Sequence, residues 1–340
     1  MRMEQDLEGP AHIRDHHSQQ RNPARHKGAY DCALVLGGGG VKCLAHVGVL
    51  ETLERMGLKP DLIVGSSIGS VMGGVYAYRN DAAFLRAFAL RFAGNPMLKK
   101  LERGFSAGPA RLMSRLASFC LLSLGFAHSF WTRGLLSAAR VKRAYRHVIG
   151  ENVLSSRIFL LEDTVIPFAA LATDLSTSDA IIMTTGDMPD ALYASSALPG
   201  ICKPFQLSGM QLVDGGIVSV IPVMAAHLLG AGKIIAVNTE PAIRRTRFAN
   251  ALGFLDVASS IRGMRWHTLE TALADLVITP DSTERYEFYQ FSKAEACIDA
   301  GRKALTDRRD NIETLITSPP NQAKIAKRIY LERFYPHRII

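Results

Sequence analysis

The chain is poor in the residues that build covalent or metal frameworks. Its 340 residues include five cysteines, Cys32, Cys43, Cys120, Cys202 and Cys297. The count is odd, the spacing is wide and no C-x-x-C occurs. That excludes a disulfide scaffold and a zinc site, and a reduced cytoplasmic compartment is the simplest fit. Long apolar runs are also missing. No stretch reaches the roughly 20 apolar residues of a transmembrane helix, and the N-terminus lacks the apolar core of a signal peptide. Acidic residues are scarce in one place. Between Arg86 and Arg146 twelve Arg or Lys face one acid, Glu102, a net of +11, while the rest of the chain sums to −2. Internal repeats and low-complexity tracts are absent too, which excludes a solenoid. What remains is a chain 48% hydrophobic and 21% charged, the balance of a globular protein able to bury a sizeable core.

The informative stretch is Cys32 to Tyr78. Cys32 to Leu36 is a short apolar run that stops at four glycines, Gly37 to Gly40. Asp61 to Val64 is a second run, stopped by Gly65-Ser66-Ser67-Ile68-Gly69. A helical apolar pattern follows each cluster. Two strand–turn–helix units in tandem predict a parallel sheet with both loops at the carboxyl edge of the strands, where α/β folds place their sites. In G-x-S-x-G the serine sits on a tight turn, so Ser67 is expected to project its hydroxyl above the sheet. Gly65 and Gly69 let the backbone bend and approach closely. A serine hydroxyl is a poor nucleophile unaided and needs a base and an oxyanion site. Successive N–H groups at Gly38, Gly39 and Gly40 can turn toward one oxygen.

Phosphate and dinucleotide binding fail on spacing. A P-loop needs G-x-x-x-x-G-K-[ST], whereas here Val41 precedes Lys42 and Cys43 follows it. In a G-x-G-x-x-G frame the last glycine falls on Lys42 or Cys43.

Residues 1–28 are polar and aperiodic and read as a disordered tail. Residues 81–133 depart from simple βαβ order. Phe84 to Phe92 predicts one helix. Residues 110–124 predict another, with Arg111 and Arg115 beside Leu112, Leu116 and Phe119. A basic amphipathic element of this kind either caps the sheet or lies in a membrane interface. Leu135 to Ile149 reads as a helix with a basic face. Ile166 to Leu175 and Ala180 to Thr184 read as partner strands, and Pro189 to Ala197 as a short helix. Met210 to Asp214 is a strand closed by Gly215-Gly216, the third strand end marked by glycine. A D-G turn is common for conformational reasons alone. Beside the other two loops, Asp214 becomes the candidate base. A carboxylate of ordinary pKa near 3.9 is weak in that role, so the site should shield it from water. Helix Ile221–Leu229, strands Lys233–Val237 and Leu276–Thr279, and helices over 248–271 and 292–315 follow. A last basic helix, Asn321 to Phe334, is expected to dock loosely.

Three elements now stand together: GGGGVKCLAHVGVL, GSSIG and DGG. With IPFAALATDL, ASSALPGICKPF, DGGIVSVIPV and ITPD, the chain resembles the patatin-like phospholipases, most of all bacterial members similar to the neuropathy target esterase group. The match runs from about Tyr30 to Leu315. The resemblance implies an α/β fold, a three-layer α/β/α sandwich with a mainly parallel central sheet and a helical cap segment at about 81–133. It divides the chain into the tail 1–28, a catalytic domain 29–315 and a C-terminal helical extension 316–340. It implies a Ser–Asp dyad, with Ser67 as nucleophile and Asp214 as general base. Gly38, Gly39 and Gly40 would form the oxyanion hole. Lys42, Gly65, Gly69, Gly215 and Gly216 would support the motifs. Two positions depart from the family: Cys43 stands where relatives carry glycine, and Ser219-Val220 where they often carry Asn-Pro.

The expected activity is release of fatty acid from phospholipid or lysophospholipid through an acyl-enzyme. No metal or cofactor is called for, and no nucleic-acid partner is expected. The basic segment 86–146 is expected to meet an anionic membrane surface, making the protein cytoplasmic and peripheral at the inner face of the membrane. Two rivals stand. One is an α/β-hydrolase triad using His227, His267 or His337. The other is a non-catalytic lipid-binding relative.

Overall fold

A computed structural model describes residues 30–106, 139, 141–143, 145, 159–240, 263–281 and 286–340. The polar tail, the helix expected over 110–124, most of the helix at 135–149, the cap beyond residue 106 and the start of the helix at 248 lie outside the described residues.

Alternation in the strands builds the layers. In β1 (Tyr30–Leu36) Cys32, Leu34 and Leu36 join one apolar cluster, while Ala33 and Val35 join another. Both faces of the strand are therefore covered, as a period of two on a doubly buried sheet requires. One cluster takes in α1 (Ala45–Arg55), α2 (Ile68–Arg79) and α3 (Ala82–Ala93). It also takes in α5 (Met188–Ser195) and α7 (Ala294–Thr306), whereas α4 (Pro96–Ser106) follows α3 at the margin. The other takes in α6 (Val223–Leu228) and helical residues 263–273. Helices on both faces of a mixed, mainly parallel sheet make the three-layer α/β/α sandwich.

The central strands β2 (Leu62–Ser66), β1, β7 (Ala231–Val237) and β8 (Leu276–Ile278) are parallel. β3 (Phe168–Asp174) continues the parallel set beyond β2. β4 (Ala180–Met183) turns back along β3, and β5 (Phe205–Leu207) pairs with β6 (Met210–Asp214).

The register around β3 decides the site. β2 pairs with Phe168 to Leu171, ending at Ser66 opposite Leu171. β6 runs antiparallel along Ala172 to Asp174, ending with Asp214 opposite Ala172. β4 covers Ala170 to Thr173. It overlaps both, so β2 and β6 must share the other edge of β3. Their carboxyl ends meet head-on along that edge. An aspartate at the carboxyl edge of the same sheet is expected to meet Ser67; the two do meet, but the strand carrying Asp214 arrives from the opposite direction.

The C-terminal segment differs from the loosely docked helix expected. α9 (Gln322–Glu332) follows α8 (Arg309–Thr317) and buries Arg328 completely. The Arg328 guanidinium donates to the carbonyls of Leu273 and Gly232 and pairs with Asp275 at 2.5 Å. A short strand unseen in the sequence, β9 (His337–Ile339), then pairs in parallel with β4. Among the described residues no helix is long and apolar enough to cross a membrane.

Candidate active site

Ser67 occupies the turn between β2 and α2. Its φ of 55° and ψ of −132° lie outside the regions an L-residue prefers. Backbone strain of this kind persists where the surroundings overdetermine it. The surroundings are visible here. The Ser67 amide donates to Ser195 Oγ at 3.1 Å, and its carbonyl accepts Ser70 Oγ at 2.6 Å. Gly69 lets α2 lie on β1: a Cβ there would come 2.4 Å from the Leu36 carbonyl oxygen. Serine at a helix N-cap usually caps with its own hydroxyl. Ser67 does not. Its Oγ donates instead to Asp214 Oδ2 at 2.7 Å, joining residues 147 apart in the chain.

Asp214 is buried, and its second oxygen accepts the Gly216 amide at 2.7 Å. Burial pushes its carboxyl up to about 6, against the pull of its bonds to Ser67 and Gly216. Glu240 nearby adds to the rise. The backbone of Asp214 is held at both ends, by its amide on the Ala197 carbonyl and its carbonyl on Thr173 Oγ1. Gly215 is needed for the head-on meeting of strands, because a Cβ there would lie 2.3 Å from the Leu171 carbonyl.

The glycine loop lies against the serine. A Cβ on Gly38 would be 3.3 Å from the Cβ of Ser67. Of the three expected oxyanion donors, Gly38 departs from expectation: its N–H already donates to the Val220 carbonyl at 2.8 Å. The strap that follows Asp214 takes up that group. The amides of Gly39 and Gly40 have no hydrogen-bond partner among the described residues. Gly39, at φ 144°, has a backbone few other residues adopt. Lys42 pairs with Glu240 at 2.8 Å, beside Gly39.

The two departures from the family pattern take defined places. Cys43 is fully buried and its thiol donates to the Gly37 carbonyl at 3.3 Å. Burial drives that thiol well above its ordinary value, so it stays neutral. Ser219-Val220 forms the strap. The Ser219 carbonyl accepts Ser66 Oγ at 3.0 Å, and the Ser219 hydroxyl donates to buried Glu270. Glu270 is pushed up to about 8 by burial, partly offset by bonds from Ser219, the Met224 amide and Trp266. Ser195 falls within the ASSALPGICKPF stretch, but nothing in the sequence gives it a role at the turn. Thr239 and Glu270 lie far from the glycine motifs in sequence, and no local pattern marks either.

The triad candidates are engaged elsewhere. His267 Nε2 lies 3.3 Å from Asn238 Oδ1, His227 Nε2 lies 3.9 Å from Glu332, and His337 Nδ1 lies 2.7 Å from the Tyr335 carbonyl. His46 is buried, with Nε2 on the Gly37 carbonyl at 2.8 Å; burial lowers it to about 4, so it is neutral and donates there. No histidine is a hydrogen-bond partner of Ser67 or Asp214 among the described residues. Nor do the described residues hold a cluster of three or more His, Cys, Asp or Glu suited to a metal.

Comparison with known proteins gives a consistent picture. The model of a patatin domain, described as patatin-like phospholipase, matches residues 34–227, more than half of the chain. An uncharacterised NTE family protein of Mycobacterium bovis is 30% identical over 61% of this chain and 48% of its own length. A lysophospholipase NTE1 of Mycosarcoma maydis is 31% identical over 66% of this chain but 10% of its own. The chain thus spans less than half the length of these relatives. The crystal structure of VipD from Legionella pneumophila gives a TM-score of 0.37 at 11% identity, over 80% of this chain and 67% of that one, too loose to bear on the fold.

Proposed function

Since the chain belongs to the patatin-like phospholipase family, we propose that it hydrolyses lipid acyl esters, with Ser67 as nucleophile and Asp214 as general base. The observation that carries this is the 2.7 Å bond from Ser67 Oγ to a carboxylate raised to about 6. Ionised at neutral pH yet more basic than an exposed aspartate, that carboxylate suits proton abstraction.

Ser67 Oγ attacks the ester carbonyl as its proton passes to Asp214 Oδ2. The developing oxyanion is received by the Gly39 and Gly40 amides, each donor lowering the barrier by about 3 kcal/mol. The tetrahedral intermediate collapses, Asp214 returns the proton to the departing alkoxide oxygen, and the acyl group stays on Ser67. Water, deprotonated by Asp214, attacks the acyl-enzyme; as the acyl–oxygen bond to Ser67 breaks, Asp214 returns that proton to Ser67 Oγ and the fatty acid leaves. Gly216 steadies the base throughout.

The substrate is phospholipid or lysophospholipid, and the basic segment 86–146 brings the protein to an anionic membrane surface. Among the described residues, two of its cations form ion pairs within the fold. Arg86 pairs with Glu51 and Glu295, and Lys142 with Asp190 at 2.6 Å.

The test is fatty-acid release from lysophosphatidylcholine and from diacyl vesicles, anionic and neutral, at low salt. Wild type releases fatty acid, faster from anionic vesicles, and Ser67→Ala sits at background. Release unchanged in Ser67→Ala would remove the dyad. Equal rates on both vesicles would remove the surface charge from the reading.

A further inference from the structure

We propose that Thr239 is a positioning residue for acyl transfer: its hydroxyl fixes the Gly38–Gly39 peptide so that the Gly39 amide faces Ser67. The proposal rests on the reading of Ser67 as nucleophile and of the Gly39 amide as a donor to its oxyanion.

The sheet order gives the direction. β1 lies between β2 and β7. Ser67 directly follows β2, and Thr239 comes two residues after β7 ends at Val237. The glycine loop leaves the end of β1 and is therefore flanked by Ser67 on one side and Thr239 on the other. Both contacts are close. Thr239 Oγ1 donates to the Gly38 carbonyl at 2.7 Å, and a Cβ on Gly38 would stand 3.3 Å from that of Ser67. In a planar trans peptide the C=O of one residue and the N–H of the next point in opposite directions. Turning the Gly38 carbonyl toward Thr239 turns the Gly39 N–H toward the serine.

The neighbouring peptide is fixed separately. The Gly37 carbonyl receives His46 Nε2–H and the Cys43 thiol, and the Gly38 N–H donates to Val220. The Cys43 thiol also lies 3.9 Å from Thr239 Oγ1, so the side chain that replaces the family glycine touches the Gly37 carbonyl and the hydroxyl that anchors the next peptide. Thr239 is 1% exposed, and its hydroxyl bridges 201 residues of chain to reach the loop. Without that donor, the Gly38–Gly39 peptide loses its anchor on the side away from Ser67. A loop free to rotate would present its amide to the oxyanion only part of the time. Preorganised donors are what lower this barrier, so the loss falls on kcat.

The test uses the full chain and a soluble short-chain p-nitrophenyl ester. Thr239→Val keeps the shape and removes the donor; Thr239→Ser keeps the donor and removes a methyl. The expected result is a fall in kcat of about 10- to 100-fold for Thr239→Val, with KM within about 3-fold of wild type. Thr239→Ser restores most of the rate. If Thr239→Val does not fold, Thr239→Ala against Thr239→Ser asks the same question, because those two differ only in the hydroxyl. Equal kcat with and without the hydroxyl, or a loss confined to KM, overturns the positioning role and leaves Ser67 and Asp214 untouched. Full activity in Ser67→Ala, run in the same assay, overturns the nucleophile and the positioning role together.

Discussion

Two carboxylates at neighbouring strand ends have opposite properties. Asp174 closes β3 and pairs in register with Leu212 of β6, two residues before Asp214. Both side chains are buried. Burial pushes Asp174 up, but the amides of Ser176 and Gln211, the Thr177 hydroxyl and Arg338 together hold it below the ordinary carboxylate value. Arg338 reaches it at 2.9 Å from β9, and also holds Asp179 at 3.1 Å. Asp214 has one amide, one serine hydroxyl and no cation among its partners in the described residues. It is raised to about 6. Burial alone therefore does not make a base. The number of donors and the presence of a cation decide whether a buried carboxylate is a staple or a proton acceptor.

The largest expected effect breaks the catalytic side of this pair. Ser67→Ala and Asp214→Asn each lower kcat on the order of 10³-fold or more in an ester hydrolysis assay. Asp214→Asn also makes the protein more stable. The folded carboxyl is raised above its unfolded value, so the stability it allows is fully present below pH 3.8 and is lost as pH rises through about 6. At pH 7 asparagine escapes that penalty, a gain of about 1–3 kcal/mol in denaturant unfolding. A variant both inactive and less stable would contradict the contrast.

Asp174→Asn reverses the pattern. It leaves kcat within a few-fold and costs about 1–3 kcal/mol at pH 7, because Arg338 loses its buried partner. The sign in wild type is opposite as well. A lowered carboxyl stabilises above its unfolded value, and the contribution fades as pH falls through the folded value.

How much of this could be read beforehand depends on distance along the chain. Ser67 and the glycine loop were legible because each motif is a local strand–turn–helix whose backbone demands show in a few consecutive residues. Asp214 was legible only in their company, since a D-G turn has an ordinary conformational explanation. The head-on meeting of β2 and β6 was not legible, because register belongs to long-range pairing through β3. The same holds for Thr239, a threonine just past a strand end that no local pattern singles out. It holds for Arg328, whose burial within a basic helix depends on Asp275, 53 residues away. The strand β9 is three residues long and lies beyond a proline, too short for any periodicity to show.

Glu270 extends the contrast to a smaller effect. It is raised to about 8 and bonded to Ser219, so the stability its neutral form permits is present below pH 4.5 and lost as pH rises through about 8. Glu270→Gln flattens the fall of melting temperature between pH 5 and 9, and activity changes little. An unchanged slope would mean that Glu270 is ionised in the fold. The smallest effect is at Glu240, whose charge contributes to the raised Asp214. Glu240→Gln moves the acidic limb of kcat/KM down by a fraction of a pH unit; no movement, or a rise, would place its charge out of reach of the base.

The most direct measurement is the rate at which a fluorophosphonate labels the intact protein across pH, with the modified residue located by peptide mass. The dyad predicts one adduct, on Ser67, forming at a rate that rises with pH through a midpoint near 6 set by Asp214. In Asp214→Asn the label is slow and its rate loses that dependence. An adduct on another residue, or a midpoint that survives in Asp214→Asn and vanishes when a histidine is replaced, would contradict a serine activated by a buried aspartate.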